Sequence, residues 1–233
     1  HFEARRQRQM CIRDRLFTEL EFKTLLKSAE TKKTPATSSN GSASKDNYRA
    51  ILSKKDLDGL IKELKKAKVL AFDTETDSLD FTQANLVGLS VATDEDNAYY
   101  IPVGHDYEGA PKQLDRDEVL KKLKPIIEKT PLIGQHLKFD RNVLANYDIH
   151  LNAIENDTML MSYVNDPTAT RHNLDAMASH YLNVKTTTFE DVAGKGVKQL
   201  TFNQIPLEKA SDYAAEDADL SLIHISEPTR PYS

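Results

Sequence analysis

The stretch VLAFDTETDSLD, residues 69–80, begins as an apolar run and ends with four acids within eight residues. If residues 69–76 form a strand, the side chains of Asp73 and Glu75 point to the same face of the sheet. Two neighbouring carboxylates repel each other and raise each other's pKa unless a cation lies between them. The spacing therefore predicts a divalent metal site, although a solvated acidic strand end is the commoner explanation of such a motif taken alone.

The chain around this stretch alternates between short strand-like runs and helical patterns. Residues 69–76, 85–93 and 98–103 are strand-like, and the polar turns between them are short enough for antiparallel pairing. A further short strand is predicted at 132–134. Apolar residues recur with the helical period in four later segments: 119–127, 143–147, 174–182 and 207–218. This order predicts an α/β domain with a mixed sheet, in which an antiparallel three-strand meander and parallel strands are flanked by helices.

The segment 207–218 has the pattern of an acidic helix. At about 100° per residue, Asp217 lies on the same side as the apolar residues, and Tyr213, one turn earlier, borders that side. The remaining acids are predicted to face solvent: Glu208, Asp212, Glu216 and Asp219. An inward aspartate requires a partner, because an unpaired buried charge is expensive. A hydrogen-bonded structural pair with Tyr213 is the alternative to a functional site.

Asp140 lies in GQHLKFDRNVL (134–144), after the strand predicted at 132–134 and at the start of a helical segment. A lone aspartate in that place is most simply an acid that interacts with the helix dipole. Together with the two acids of the strand and the inward aspartate of the last helix, it gains weight as a member of one site.

Composition is that of an ordinary globular protein. The chain has 233 residues, of which 39% are apolar and 29% charged, a net charge of −5 and a single cysteine, Cys11. These totals predict one cytoplasmic domain with extensions, without a disulfide framework or a thiolate metal cluster. No run approaches the roughly 18 apolar residues that a transmembrane helix needs. The negative balance counts mildly against nucleic-acid binding, but cations held by carboxylates reverse the local potential where a phosphate approaches.

Three stretches of the chain, in their order and separations, resemble the motifs of a known family: FDTETDSLD (72–80), GQHLKFDRNVL (134–144) and YAAEDAD (213–219). The family is the proofreading 3′–5′ exonuclease domain of bacterial DNA polymerase I, a family A polymerase. Intervening stretches such as ANLVGLSVA and AGKGVKQLTFNQI are similar to the same family, so the resemblance covers residues 48–220. It implies a ribonuclease-H-like fold and hydrolysis of DNA from the 3′ end.

The resemblance also implies a role for five residues. Asp73, Glu75, Asp140 and Asp217 are expected to hold two divalent cations, Mg²⁺ or Mn²⁺, with Asp73 between them. Tyr213 is expected to orient the attacking water. Oxygen ligands suit these hard cations, and two such ions serve in-line displacement at phosphorus without a protein general base. The expected product is a nucleoside 5′-monophosphate.

Contacts with a single-stranded or frayed 3′ end of DNA are implied for seven further residues: Thr76, Leu79, Gln135, His136, Phe139, Arg171 and Phe189. Stacking on aromatic side chains holds single strands without regard to base sequence. Leu79 and Phe189 are equally well explained as core residues, and Arg171 as an exposed loop residue. His136 departs from the family, which usually has asparagine there; a histidine keeps a hydrogen-bonding group and adds a pH dependence near neutrality.

The ends of the chain suggest a fragment. Residues 16–28 resemble the tail of a 5′-nuclease domain, and residues 29–47, rich in serine and threonine, are predicted to be a flexible linker. Residues 1–15 and 221–233 do not resemble the family and are interpreted as a non-native extension and tail that derive from sequencing adapters. The exonuclease domain is then expected at 48–220.

Three functions fit these motifs. The first is a proofreading exonuclease that acts as a monomer on DNA, away from membranes, beside the polymerase domain of a longer chain. The second is an RNA-trimming 3′–5′ exoribonuclease with the same four acids and tyrosine. The third is a catalytically silent scaffold domain, against which the complete set of five residues argues.

Overall fold

The computed structural model describes residues 47–94 and 97–226. The extension predicted at 1–15 and the nuclease-domain tail predicted at 16–28 lie outside the described residues. So do all but the last residue of the linker predicted at 29–47, and residues 227–233 of the predicted tail.

A six-stranded mixed sheet forms the centre of the described part. Its strands are β1 (Arg49–Ala50), β2 (Leu70–Thr76), β3 (Leu86–Asp94), β4 (Asn97–Pro102), β5 (Leu132–Gly134) and β6 (Ile154–Asp157). They lie side by side in the order β1-β4-β3-β2-β5-β6. Strands β2, β3 and β4 pair antiparallel, whereas the β1–β4, β2–β5 and β5–β6 pairs are parallel. The predicted fold class, a meander extended by parallel strands and flanked by helices, is confirmed.

The helices of the described residues are α1 (Lys54–Leu64), α2 (Arg116–Ile127), α3 (Leu137–Ala145), α4 (Thr158–Asn165), α5 (Leu174–Met177), α6 (Phe189–Ala193) and α7 (Leu207–Ser226). Helix α5 continues as a π-helical segment, Ala178–Leu182. Several begin at a side chain that accepts a hydrogen bond from the first turn, which satisfies an otherwise unpaired N–H. These caps include Ser53, Asp115, Asp157, Asn173 and Thr188. Strand β6 and helices α4 and α6 were not predicted, because they are too short to show a period.

The alternation of β2 assigns its residues to two layers. Phe72 lies in the larger core cluster, with α1 and α2. Its neighbour Ala71 lies in a cluster with Ala218 of α7 on the opposite face. Asp73 and Glu75 lie two and four residues after Ala71, and alternate residues of a strand point to the same face. The two carboxylates therefore point towards α7.

Helix α7 packs along β2, β3, β4 and β5. The side of α7 that meets the sheet is lined by alanines with no exposed surface: Ala210, Ala214, Ala215 and Ala218. Small side chains allow the helix to lie close to the strands. Leu207, the first residue of α7, is also buried.

The predicted exposure of two α7 acids is wrong. Glu216 is 2% exposed and Asp219 is fully buried, although the helical period places both away from the alanine side. They are covered because other parts of the chain, among them α4, α5 and the π-helical segment, also contact this helix. The Tyr48 hydroxyl donates to Asp219 Oδ2 at 2.8 Å, and the Thr187 N–H donates to Glu216 Oε2 at 3.0 Å. Glu208 and Asp212 are exposed, as predicted.

Helix α7 continues to Ser226, whereas the exonuclease domain was expected to end at residue 220. That domain end stays a prediction.

Within the described ranges, no helix combines the length and the apolar character needed to cross a bilayer.

Candidate metal centre

Three carboxylates meet between the sheet and α7. Asp73 and Glu75 extend from β2 and Asp217 from α7, and each offers an oxygen within 4.8 Å of the oxygens of the other two. The pairing of β2 with β3 shifts register just after Glu75, so the ladder is interrupted beside the acids. Bulges of this kind re-aim side chains next to functional sites.

Asp140 does not belong to this group of three oxygens. It lies in the first turn of α3, is 2% exposed, and directs Oδ1 to Thr74, the residue between Asp73 and Glu75. The Thr74 N–H and hydroxyl donate to that oxygen at 2.8 and 2.6 Å. Asp140 is thereby fixed to β2, and its charge acts on both strand acids.

Burial and mutual repulsion dominate the electrostatics of the cluster. Burial raises the pKa of Asp73 well above its usual value, and the charges of Asp140, Glu75 and Asp217 raise it further. Burial likewise raises the pKa of Glu75, with contributions from Asp217 and Asp140. The pKa of Asp140 is raised by burial to about 7, despite the opposing hydrogen bonds from Thr74. Ionisation of these acids is therefore unfavourable unless a positive charge lies beside them.

The donor set fits a divalent cation. The Glu75 Oε1 atom is buried and has no hydrogen-bond partner among the described residues. An orphaned buried carboxylate oxygen is costly, and a bound cation would satisfy it. Carboxylate oxygens are the ligands that Mg²⁺ and Mn²⁺ prefer.

Tyr213 borders the acids, one turn before Asp217 on α7. The charge of Asp217 raises the pKa of the Tyr213 phenol, and burial and the hydrogen bond to Asp217 raise it further. The hydroxyl therefore keeps its proton. The ring lies 6.0 Å from that of Phe202 and 6.2 Å from that of Phe189, measured between centroids. Tyr213 is thus held by aromatic contacts on one side and by the Asp217 carboxylate on the other.

Residues 48–226 match a family model described as 3′-5′ exonuclease. The chain belongs to this exonuclease family. It is 48% identical over 216 residues to DNA polymerase I of Pseudomonas aeruginosa, which covers 89% of the chain and 24% of that relative. It is 38% identical over 178 residues to DNA polymerase I of Borreliella burgdorferi, which covers 75% of the chain and 18% of the relative. The exonuclease chain therefore spans about a quarter or less of the length of these curated relatives.

Solved structures share the exonuclease fold at low sequence identity. Trypanosoma brucei RNase D has a TM-score of 0.59 and 11% identity, over 78% of the chain and 65% of that protein. The catalytic core of T. brucei RRP6 has a TM-score of 0.55 and 14% identity, over 77% and 45% of the two chains. These likenesses concern the fold alone.

Three of the residues predicted to contact the DNA strand lie near the end of β2 or in α6. Thr76 is half-buried and ends β2, and its hydroxyl donates to the Ser78 carbonyl at 2.8 Å. Leu79 is 94% exposed, so the alternative that it is a core residue is wrong. Phe189 is half-buried and stacks on Phe202, with 6.5 Å between ring centroids. The alternative that Phe189 is a core residue is therefore only partly correct, because the residue is partly exposed.

Gln135, His136 and Phe139 lie at the start of α3. The Gln135 amide donates to the His172 carbonyl at 2.8 Å, which ties the α3 entrance to the loop after α4. His136 is exposed and left-handed, with φ 61°, and its ring stacks near that of Phe139 at 6.4 Å. A left-handed non-glycine residue is strained, a feature that recurs at functional positions.

Arg171 is exposed in the loop after α4, which agrees with the alternative that it is an exposed loop residue. Among the described residues, no hydrogen bond or ion pair joins Arg171 to the three-carboxylate cluster. Its role stays a prediction.

Three residues that support the carboxylate cluster were not predicted from the sequence. The Thr74 side chain points to the face of β2 opposite to Asp73 and Glu75, and there it meets Asp140 of α3. Tyr100 is fully buried, donates to or accepts from His105 Nε2 at 2.8 Å, and fills the space above Gly88, where a Cβ would collide with its ring. Gly88 pairs with Glu75 across the strands. A glycine opposite an acid in adjacent strands was the available signal.

Proposed function

We propose that this chain is the proofreading 3′–5′ exonuclease segment of a DNA polymerase I and removes nucleotides from the 3′ end of DNA. The observation that carries the proposal is the convergence of Asp73, Glu75 and Asp217, from a strand and a helix, on one partly buried place beside Tyr213. In the full-length protein, the partner is the polymerase domain, and the substrate is a single-stranded or frayed 3′ end. The enzyme acts as a monomer in the bacterial cytoplasm.

The carboxylates would hold two divalent cations, Mg²⁺ or Mn²⁺. Asp73 would lie between them, with Glu75, Asp140 and Asp217 as the other protein ligands. When bound, such a pair of cations supplies an activated water and neutralises the charge that develops on the leaving 3′ oxygen. Asp140 would act from its fixed place on Thr74, at the side of the cluster.

Tyr213 would position the attacking water. Its phenol remains protonated because Asp217 and burial raise its pKa, so it donates a hydrogen bond rather than removing a proton. The half-buried placement of the ring between Phe202, Phe189 and the helix restricts its orientation. Restricting a water to the line of attack lowers the entropic part of the barrier.

The strand would be held by side chains around this centre. Leu79 offers an almost fully exposed apolar side chain and Phe189 a half-buried ring, both suited to bases of any sequence. Thr76, Gln135, His136, Phe139 and Arg171 complete the proposed contacts. The nucleoside 5′-monophosphate would be the released product.

A nuclease assay with matched variants tests the proposal. The parent chain, Asp73→Ala and Asp217→Ala are incubated with single-stranded DNA and with RNA of the same sequence, in Mg²⁺, in Mn²⁺ and in EDTA. The parent should digest DNA from the 3′ end in a metal-dependent way, and both variants should lose this activity while retaining a cooperative melting transition. Asp212→Ala is the control, because Asp212 is an exposed acid on the same helix.

Each remaining outcome contradicts the proposal in a different way. Preferential digestion of RNA by the parent would favour the RNA-trimming function. Absence of digestion with every metal, from a folded parent, would favour a silent scaffold. Retained activity in Asp73→Ala or Asp217→Ala would remove these carboxylates from the mechanism.

A further inference from the structure

Glu216 is a buried acid that lies between Tyr213 and Asp217 on α7 but does not join the metal cluster. It is 2% exposed, and its Oε2 atom accepts a hydrogen bond from the Thr187 N–H at 3.0 Å. A carboxylate is expensive to bury, and an apolar residue at such a position usually serves stability as well or better. Its hydrogen bond to a backbone N–H suggests a role in holding the segment that carries this N–H.

That segment, residues 186–189, leads into α6 and is fixed residue by residue. The Thr186 hydroxyl donates to Asp175 Oδ1 at 2.5 Å. Thr188 and Asp191 form a capping box, in which each side chain accepts from the backbone of the other. The first residue of α6 is Phe189. The bond from Thr187 to Glu216 therefore connects this segment to α7 two residues before Phe189.

The ring of Phe189 also contacts the same helix, α7. The ring meets Tyr213 edge to face at 6.2 Å and stacks on Phe202 at 6.5 Å, between centroids. Glu216 and Tyr213 are separated by three residues along α7, which places them on neighbouring turns of one side. The segment is thus attached to α7 at its backbone by Glu216 and at its aromatic side chain by Tyr213.

We propose that Glu216 is a positioning residue that sets the place of the Phe189 ring relative to the carboxylate of Asp217. The inference rests on the proposed function, in which Phe189 contacts the DNA strand. Glu216 and Asp217 are consecutive residues of a rigid helix. The hydrogen bond from Thr187 to Glu216 therefore fixes the Phe189 ring relative to the Asp217 carboxylate. A nucleotide held against the ring then lies at a fixed distance from the cluster.

The test removes the acceptor without opening a cavity. Glu216→Met keeps length and apolar volume but cannot accept from Thr187, whereas Glu216→Gln retains an acceptor oxygen. We expect Glu216→Met to raise KM for single-stranded DNA roughly tenfold, the size expected for a hydrogen bond to a charged group, with kcat changed less than about twofold. Glu216→Gln, which keeps a neutral acceptor, should raise KM much less than Glu216→Met. Glu216→Ala is the second variant if the methionine variant does not fold.

A binding measurement gives a readout that is independent of hydrolysis. The affinity for a fluorescein-labelled oligothymidylate in EDTA should fall in Glu216→Met by a factor similar to the rise in KM. In the Phe189→Ala background, the additional effect of Glu216→Met should shrink to less than about twofold, because the two residues act through one contact. Tyr48→Phe is the matched control: it removes another hydrogen bond to α7, that to Asp219, and should lower only the melting temperature.

The outcomes separate this inference from the proposed function. A parent chain that neither binds nor digests DNA overturns the proposed function and the inference with it. An active parent whose Glu216→Met variant has unchanged KM and affinity overturns the inference alone. An effect of equal size with and without Phe189 also overturns it, since Glu216 would then act by another route.

Discussion

Asp140 on α3 is bound to Thr74 on β2 by two hydrogen bonds to a single carboxylate oxygen, from the Thr74 N–H at 2.8 Å and from its hydroxyl at 2.6 Å. Thr74 is the residue that separates Asp73 from Glu75. A small change at Thr74 therefore changes the geometry of Asp140 relative to the strand acids without altering any carboxylate.

Thr74→Val tests this relationship. Valine keeps the shape and the backbone N–H but removes the hydroxyl donor, so we expect a loss of about 1–3 kcal/mol in the free energy of unfolding and a several-fold lower kcat. Chemical denaturation and the nuclease assay measure the two effects. Ser90→Ala is the control, because the Ser90 hydroxyl is buried without a hydrogen-bond partner among the described residues. Equal effects of the two substitutions would contradict the role of Thr74.

Glu75→Gln should stabilise the metal-free protein above neutral pH. Burial and the charges of Asp217 and Asp140 raise the pKa of Glu75, so its ionised form is disfavoured in the fold. The variant should therefore melt at a higher temperature than the parent in EDTA, while stabilisation by added Mg²⁺ is lost. Thermal melts with EDTA and with Mg²⁺ measure both. Glu108→Gln, at an exposed position, should change neither. A lower melting temperature of Glu75→Gln in EDTA would count against repulsion among the carboxylates.

Stability of the metal-free protein should fall as pH rises from about 4 to about 7. Asp140 has a pKa of about 7 in the fold and 3.8 as the ordinary value, so the folded chain retains a proton that the unfolded chain has lost in this range. Deprotonation on raising the pH therefore favours unfolding. Asp140→Asn should flatten the dependence, since asparagine does not titrate. Denaturation curves at several pH values in EDTA measure the slope, and an equal slope in parent and variant would be inconsistent with this assignment.

Tyr213→Phe should reduce the rate of hydrolysis much more than the affinity for metal. Loss of a hydrogen bond to a charged group corresponds to roughly a tenfold or greater fall in kcat, whereas the carboxylates remain in place. Mg²⁺ titrations of activity and of the melting temperature separate the two quantities. Tyr163→Phe is the control, at an exposed tyrosine on α4. Parallel losses of rate and metal affinity would refute the water-orienting role.

Leu79→Ala should weaken DNA binding without destabilising the fold. The side chain is 94% exposed, so its removal leaves no cavity. Covering a leucine with a base is worth up to about 1.5–3 kcal/mol, and a several-fold rise in KM follows. Val197→Ala, at another fully exposed apolar residue, should leave both KM and the melting temperature unchanged. If Leu79→Ala and Val197→Ala have the same KM, the predicted contact is absent.

Periodicity was sufficient for those parts of the fold that bury one continuous face. Strand alternation correctly directs Asp73 and Glu75 to one side, and the helical period correctly places Asp217 with the alanines of α7. The period failed for Glu216 and Asp219 because their hydrogen-bond partners, Thr187 and Tyr48, lie in irregular segments that are distant in sequence. Such segments have no repeating pattern from which to predict a contact.

The contact between Asp140 and Thr74 could be predicted only in part. Sequence indicated an acid at the start of a helix after a short strand, which the structure confirms. It did not indicate which residue of β2 the acid would meet, since that depends on the parallel pairing of β5 with β2. Long-range register of this kind is not encoded in any local period.

The alanines of α7 determine the thickness of the layer in which the carboxylates meet. Ala214, Ala215 and Ala218 have no exposed surface, so each additional methylene there must move the helix or the sheet. A shift of the helix would move Asp217, whereas a shift of the sheet would move Asp73 and Glu75. The spacing across the carboxylate cluster is therefore set by side chains that have no chemistry of their own, and enlargement of one of these alanines would change the distance between Asp217 and the two strand acids.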